Sequence, residues 1–299
     1  APDAATAPAA SAGPARDDSG AARASAEVSD HPVLWRELRK PLFRRRWHPW
    51  AVAVCVVGGG GWLAWRVGFA DSFDPEGLRG VSAMAMMMGV AISVLIAAAG
   101  STALIAQERD ARTLDDLLST RVTPREIVLA KLLGALARQW VTPAVALSYS
   151  LVVGVLIGGA SAMMLVHAAM IVVPALTLLN ASGLAAAAWV RKASTAGVLN
   201  LLGAIALWGL LPLVGAILTG VWNLPEFILD PVLAINPFAN MGFAIIGAID
   251  RQEGFSFGTH SVGAGEFFLL VGISGLVQLA GAAGMVWAAA NGVRRITSR

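Results

Sequence analysis

The chain has 299 residues, of which 57% are hydrophobic and only 14% charged, with a formal net charge of +3 and a mean hydropathy of +0.68. A soluble domain carries about 25% charged residues, whereas about 20 consecutive apolar residues cross a bilayer core; the several such runs here exclude a soluble protein and imply an integral membrane protein. The single cysteine, Cys55, excludes an intramolecular disulfide, and charge bias across a membrane accounts for the basic balance without nucleic acid.

Residues 1–29 are rich in Ala, Pro, Ser, Asp and Gly, with Val28 the one larger aliphatic residue, a composition that predicts a disordered tail. No apolar run follows a basic stretch here, so no cleaved signal peptide is expected. The segment "SDHPVLWRELRKPLFRRRWHPW" comes next. Ser29 or Asp30 can cap a helix and Pro32 suits its first turn. Leu34, Leu38 and Leu42 make an apolar stripe, with Arg36, Arg39 and Lys40 facing elsewhere. A basic amphipathic helix with Trp35 and Trp47 at its edges suits a membrane surface, where Leu34, Trp35, Arg36, Leu38 and Arg39 would make the contacts.

Six spans are predicted: about 50–67, 81–106, 139–157, 162–190, 195–218 and 267–290. The third and fourth emerge from one uncharged stretch, Gln139 to Val190, which "IGGAS" at Ile157–Ser161 divides as a tight turn. Arg36, Arg39, Lys40, Arg44, Arg45 and Arg46 precede the first span. Six more basic residues lie between the second and third, Arg191 and Lys192 between the fourth and fifth, and Arg294, Arg295 and Arg299 after the sixth. On the other side stand only Arg66, Arg79 and Arg251, among eight acidic residues. The positive-inside rule therefore predicts both termini in the cytoplasm. The expected fold is an all-α membrane protein, N-in and C-in, with residues 30–299 as one six-span domain.

The connection between the second and third spans, Gln107 to Lys131, holds ten charges in twenty-five residues. At the bilayer centre these would cost roughly 25–35 kcal/mol, at about 2.5–3.5 each, so the segment lies outside the hydrocarbon. Ala111, Leu114, Leu117 and Leu118 recur at helical spacing. "STRV" breaks the pattern, and "TPRE" restarts it, with Thr123 as cap, Pro124 at the first helical position and Glu126 three residues after the cap. Two uses of such an amphipathic hairpin stay open on physical grounds: a solvated connector, or a docking surface anchored by its leucines.

Between Val221 and Gly265, three prolines, several phenylalanines and the polar run "DRQEGFSFGTHS" predict short re-entrant or surface helices at the outer face. His167 is the one ionisable residue well inside an apolar run. With Tyr149 it is a candidate to line a pathway; Gln139, Asn180, Asn200 and Gln278 could likewise line one or bridge helices. The four histidines and one cysteine show no ligand spacing, so no metal site is expected.

Several of these motifs resemble, in order, those of type-2 ATP-binding-cassette (ABC) exporter permeases. They are Glu108-Arg109, Thr113-Leu114-Asp115, Leu117-Leu118, Thr123-Pro124, Lys131, an elbow helix containing "HPVLWREL", and "INPFANM" at Ile235–Met241. The chain departs from that pattern at Arg112, Arg121 and Ala130. The resemblance implies a permease subunit in an inner membrane of bacterial type, pairing with a like or unlike permease and docking on separate ABC ATP-binding subunits. It implies that Glu108, Arg109, Thr113, Leu114, Asp115, Leu117 and Leu118 form a coupling helix, with Pro124 and Arg125 shaping its return.

ATP and Mg would be bound by the partner, since this chain has no G-x-x-x-x-G-K-[ST]; "GGGG" at Gly58–Gly61 sits in an apolar span and suits close helix packing. A mechanical or assembly role, or a secondary carrier, are the alternatives, although a carrier would place Asp or Glu within the spans and none is there. "GISG" at Gly272–Gly275 resembles the nucleophile motif of rhomboid proteases, but no histidine follows His260, and it is read as helix-packing residues.

Overall fold

The computed structural model describes residues 32–39, 54, 58–69, 72–110, 122–222, 225, 229–250, 254–257 and 260–297. Helix α1 covers Pro32–Arg39 and α2 covers Gly60–Gly68. Residues 50–53 and 55–57 of the first predicted span lie outside the described residues, as does Leu42. Among the described residues, five helical runs are long and apolar enough to cross a membrane: Pro75–Asp110, Pro124–Ile157, Met163–Trp189, Ala193–Trp222 and Ala264–Arg295.

Two of these runs start on side-chain caps. α3 (Pro75–Gly100) begins with Asp74, whose carboxylate accepts from the Glu76 and Gly77 amides at 3.0 Å, and with Pro75 at the first position. It begins six residues before the predicted span and passes, through a turn at Ser101–Thr102, into α4 (Ala103–Asp110). The Ser101 and Thr102 hydroxyls donate back to the Ala97 and Ala99 carbonyls, an interaction that bends helices.

α5 (Pro124–Gln139) opens on a complete capping box. The Glu126 amide donates to Thr123 Oγ1 at 3.3 Å, and the Thr123 amide to Glu126 Oε2 at 2.7 Å. The run from Pro124 continues through α6 (Val141–Tyr149) and π-helical turns at Ser150–Ile157, so "TPRE" starts a membrane-length helical run itself rather than a separate return arm. The "IGGAS" turn is present, with Gly159 at φ 67°, a backbone region that favours glycine.

α7 (Met163–Trp189) is the central helix, packing most extensively on α12 (Ala264–Thr297) and also on α3, α5, α8 and α11. One apolar core joins Met86, Val90, Ile171, Leu176, Met241 and Phe267; a second joins Ile105, Val128, Leu132, Leu184, Ala289 and Val293. α8 (Ala193–Ile205) passes through π-helical turns at Ala206–Leu210 into α9 (Leu211–Trp222).

Beyond it, α10 (Asp230–Ile235) and α11 (Pro237–Asp250) meet at Asn236, whose Oδ1 caps α11 through the Phe238 and Ala239 amides and whose Nδ2 donates to the Trp208 carbonyl at 2.8 Å. The polar run that follows is not helical as predicted. β1 (Gly254–Phe257) pairs antiparallel with β2 (His260–Gly263), because "GFSF" and "HSVG" alternate apolar and small or polar residues with the period of a strand.

Candidate functional site

Ionisable side chains converge where α1, α4 and α5 meet, here termed the basic end of the bundle. Lys131 and Glu37 are fully buried and Glu108 is 9% exposed. Lys131 Nζ lies 2.9 Å from Glu108 Oε2 and 3.6 Å from Glu37 Oε1, and donates to the Leu104 carbonyl at 3.0 Å. Arg36 Nη2 donates to Glu108 Oε1 at 2.6 Å. Arg138 Nη1 donates to the Glu37 carbonyl at 3.0 Å and lies 3.5 Å from Glu37 Oε2. Charges removed from water persist only when paired and hydrogen-bonded, and these five residues supply one another's partners across three chain segments.

α1 explains how Glu37 comes to be there. Val33 and Glu37, one turn apart, form its buried face, and Gly134 of α5 admits it closely, since a Cβ there would come within 2.8 Å of the Glu37 side chain. Leu38 is exposed and Leu34 and Trp35 half-buried, so of the predicted leucine stripe Leu38 stays on the surface while the helix docks through the neighbouring face. Arg39 stacks its guanidinium 4.0 Å from the Trp35 ring.

The predicted coupling residues divide into two groups. Thr113, Leu114, Asp115, Leu117 and Leu118 lie outside the described residues. Glu108 and Arg109 are turned inward: Arg109 donates to the carbonyls of Ala187 and Val190 at 3.1 Å each, and to that of Arg191. The guanidinium thereby closes the end of α7, whose last carbonyls lack helical donors. Pro124 holds the first position of α5, and Arg125 is exposed. Thus α4, which leads into the 111–121 segment, is tied to α1 and α5 by Glu108 and to α7 by Arg109.

Behind the ionic cluster the spans are joined by amides. Gln139 and Asn180 exchange hydrogen bonds at 3.0 and 2.6 Å. Asn200 accepts from Ser182 at 2.7 Å and donates to the Ala98 carbonyl at 3.0 Å. These residues bridge helices, one of the two uses their position in apolar runs allowed. Gln278 does the same at α10, donating to the Ile235 carbonyl at 2.9 Å.

The two pathway candidates have different surroundings. His167 is buried, edge-on to Phe267 at 5.0 Å. Tyr149 donates to the Gly60 carbonyl at 2.8 Å and stands on a groove of about 760 Å³ between α2, α3 and α5–α6, which His167 does not line.

Glu37 and Arg138 were not singled out from the sequence. The available signal was that Glu37 is the one acid among the six basic residues from Arg36 to Arg46, and an isolated acid in a basic helix commonly has a dedicated partner.

Residues 11–288 match a family model described as ABC-2 family transporter protein. The search of curated proteins returned no match.

Proposed function

The chain belongs to the ABC-2 family of transporter proteins, and from that premise we propose that it is the permease subunit of an ATP-driven export complex, coupled through the 107–131 segment to a separate ATP-binding subunit. In this reading the basic end faces the cytoplasm, both termini lie there, and two permease subunits assemble with two ATPase subunits. Residues 30–299 form one six-span domain, with the first span at about 50–67, the part that includes α2.

The observation that carries the reading is the double anchoring of α4. Glu108 joins it to α1 and α5, and Arg109 joins it to the end of α7. A force applied to residues 111–121 by a partner would therefore reach the elbow helix and three spanning helices together. Mobile contacts would dissipate such a force, but a cluster of buried, mutually satisfied charges resists shear because separating any pair exposes an uncompensated charge. Leu114, Leu117 and Leu118 are the anchors proposed to meet the partner, with Asp115 setting register.

The test is a mild-detergent pull-down of the tagged chain. The expected companion is a stoichiometric protein with ATPase activity, lost when Leu114, Leu117 and Leu118 are replaced by Ser while the chain stays folded. A chain that comes down intact and alone, or that hydrolyses ATP itself, would overturn the proposal.

A further inference from the structure

The groove beside Tyr149 has a regular construction. Met84, Met88, Ile92, Ile96, Gly100 and Leu104 all line it, and their spacing of four places them in one row along α3 and α4. Twenty residues of helix from Met84 to Leu104 span about 30 Å at 1.5 Å per residue, the thickness of a hydrocarbon core, about 30 Å. The facing wall comes from α5 and α6, where Ala135, Thr142 and Ala146 keep it low. Met84, Met88, Ile92 and Ile96 are also exposed, so the groove opens sideways along its length.

Its basic end is polar. Arg138 lines the groove there, with a side chain 20% exposed. The contacts of its guanidinium run through Nη1 to Glu37; among the described residues nothing binds Nε or Nη2. Two N–H directions of a fixed cation are thus left over at the mouth of an apolar trough. A guanidinium edge of this kind matches two oxygens of a phosphate.

From this juxtaposition we infer that the groove binds an anionic phospholipid of the leaflet at the basic end. The phosphate sits on Arg138 Nε and Nη2, and one acyl chain runs up the row from Leu104 towards Met88. The methionines suit a flexible chain because their own side chains adapt to it. An anionic head is favoured over a zwitterionic one, since a choline would bring another cation close to Arg138. This site is independent of the identity of any exported cargo.

Native mass spectrometry of the full chain in mild detergent tests the inference, with phosphatidylglycerol and phosphatidylcholine of the same acyl length as probes. The native chain is expected to retain one phosphatidylglycerol, about tenfold more tightly than phosphatidylcholine, as a charge-assisted contact implies. Arg138→Gln should abolish the preference and Arg138→Lys should keep part of it.

Because Arg138 also holds the Glu37 carbonyl, Gly59→Phe supplies a second variant. Gly59 lines the groove, and a Cβ there meets nothing within 4 Å, so the ring narrows the trough without touching the guanidinium; it should weaken phosphatidylglycerol retention about tenfold, the scale of a lost apolar chain contact. Equal retention of the two lipids by the native chain would overturn the inference, as would phosphatidylglycerol binding unchanged in both Arg138→Gln and Gly59→Phe. Self-cross-linking of Met88→Cys, with Cys55→Ser, in a bilayer would also overturn it by making a second copy of the chain the occupant.

Discussion

Lys131 has no access to solvent, and its ammonium is held by two carboxylates and one carbonyl. Replacing it by Met would leave Glu37 and Glu108 facing each other without the cation between them. A broken buried ion pair costs about 3–5 kcal/mol, so Lys131→Met is expected to lower the melting temperature in detergent markedly. Adding Glu108→Gln removes one of the two carboxylates that face the lost cation, leaving Glu37 with Arg36 and Arg138, and should recover part of that loss. Strict additivity of the two changes, measured as a double-mutant cycle, would show that the residues do not act as a unit. The charges of Glu108 and Lys131 were visible in the sequence but the partners of Glu37 were not: Glu37 and Arg138 are 101 residues apart, and no periodicity relates charges on different helices.

At the scale of elements, starts and turns were the most legible features because their chemistry is local. The Thr123–Glu126 box and the Ile157–Ser161 turn are each set by residues within four positions of one another. Thr123→Ala removes the acceptor for the Glu126 amide and should cost about 1 kcal/mol. The checking measurement is hydrogen exchange, which should quicken at the Glu126 and Ile127 amides while the centre of α5 stays protected; unchanged protection at both would mean that the cap does not hold the helix start.

Helix lengths were less legible. The apolar count gives the part in lipid, whereas α3 and α5 continue past it because capping and tertiary ion pairs support the extra turns. The β-hairpin was missed for a different reason. Its eight strand residues alternate over too short a window to compete with the helix-forming context on either side.

For the whole molecule, orientation is the property on which the rest of the reading depends. In a Cys55→Ser background, Ser256→Cys in β1 is expected to react with a membrane-impermeant thiol reagent added outside intact cells. Labelling only after the inner side is opened would reverse the topology and place the ionic cluster on the wrong face for a cytoplasmic ATPase. The architecture has a clear centre: α7 contributes to both apolar cores, its Asn180 pairs with Gln139, and its final carbonyls are closed by Arg109. Helices at the periphery, α8 and α9 among them, keep large apolar side chains such as Leu202, Leu210 and Ile217 exposed, as lipid-facing surfaces require.

The pairing of Glu37 with Lys131 and Arg138 also bears on biogenesis. The ribosome makes α1 before any of the helices it docks on, and at about 5–20 residues per second the chain from Glu37 to Arg138, 101 residues on, takes roughly 5–20 seconds to appear. During that interval the carboxylate of Glu37 has neither Lys131 nor Arg138, and of the cations that surround it in the folded chain Arg36, on its own helix, is already made. α1 is thus synthesised well before it can be locked, and its docking reports that α5 has been threaded in the correct direction.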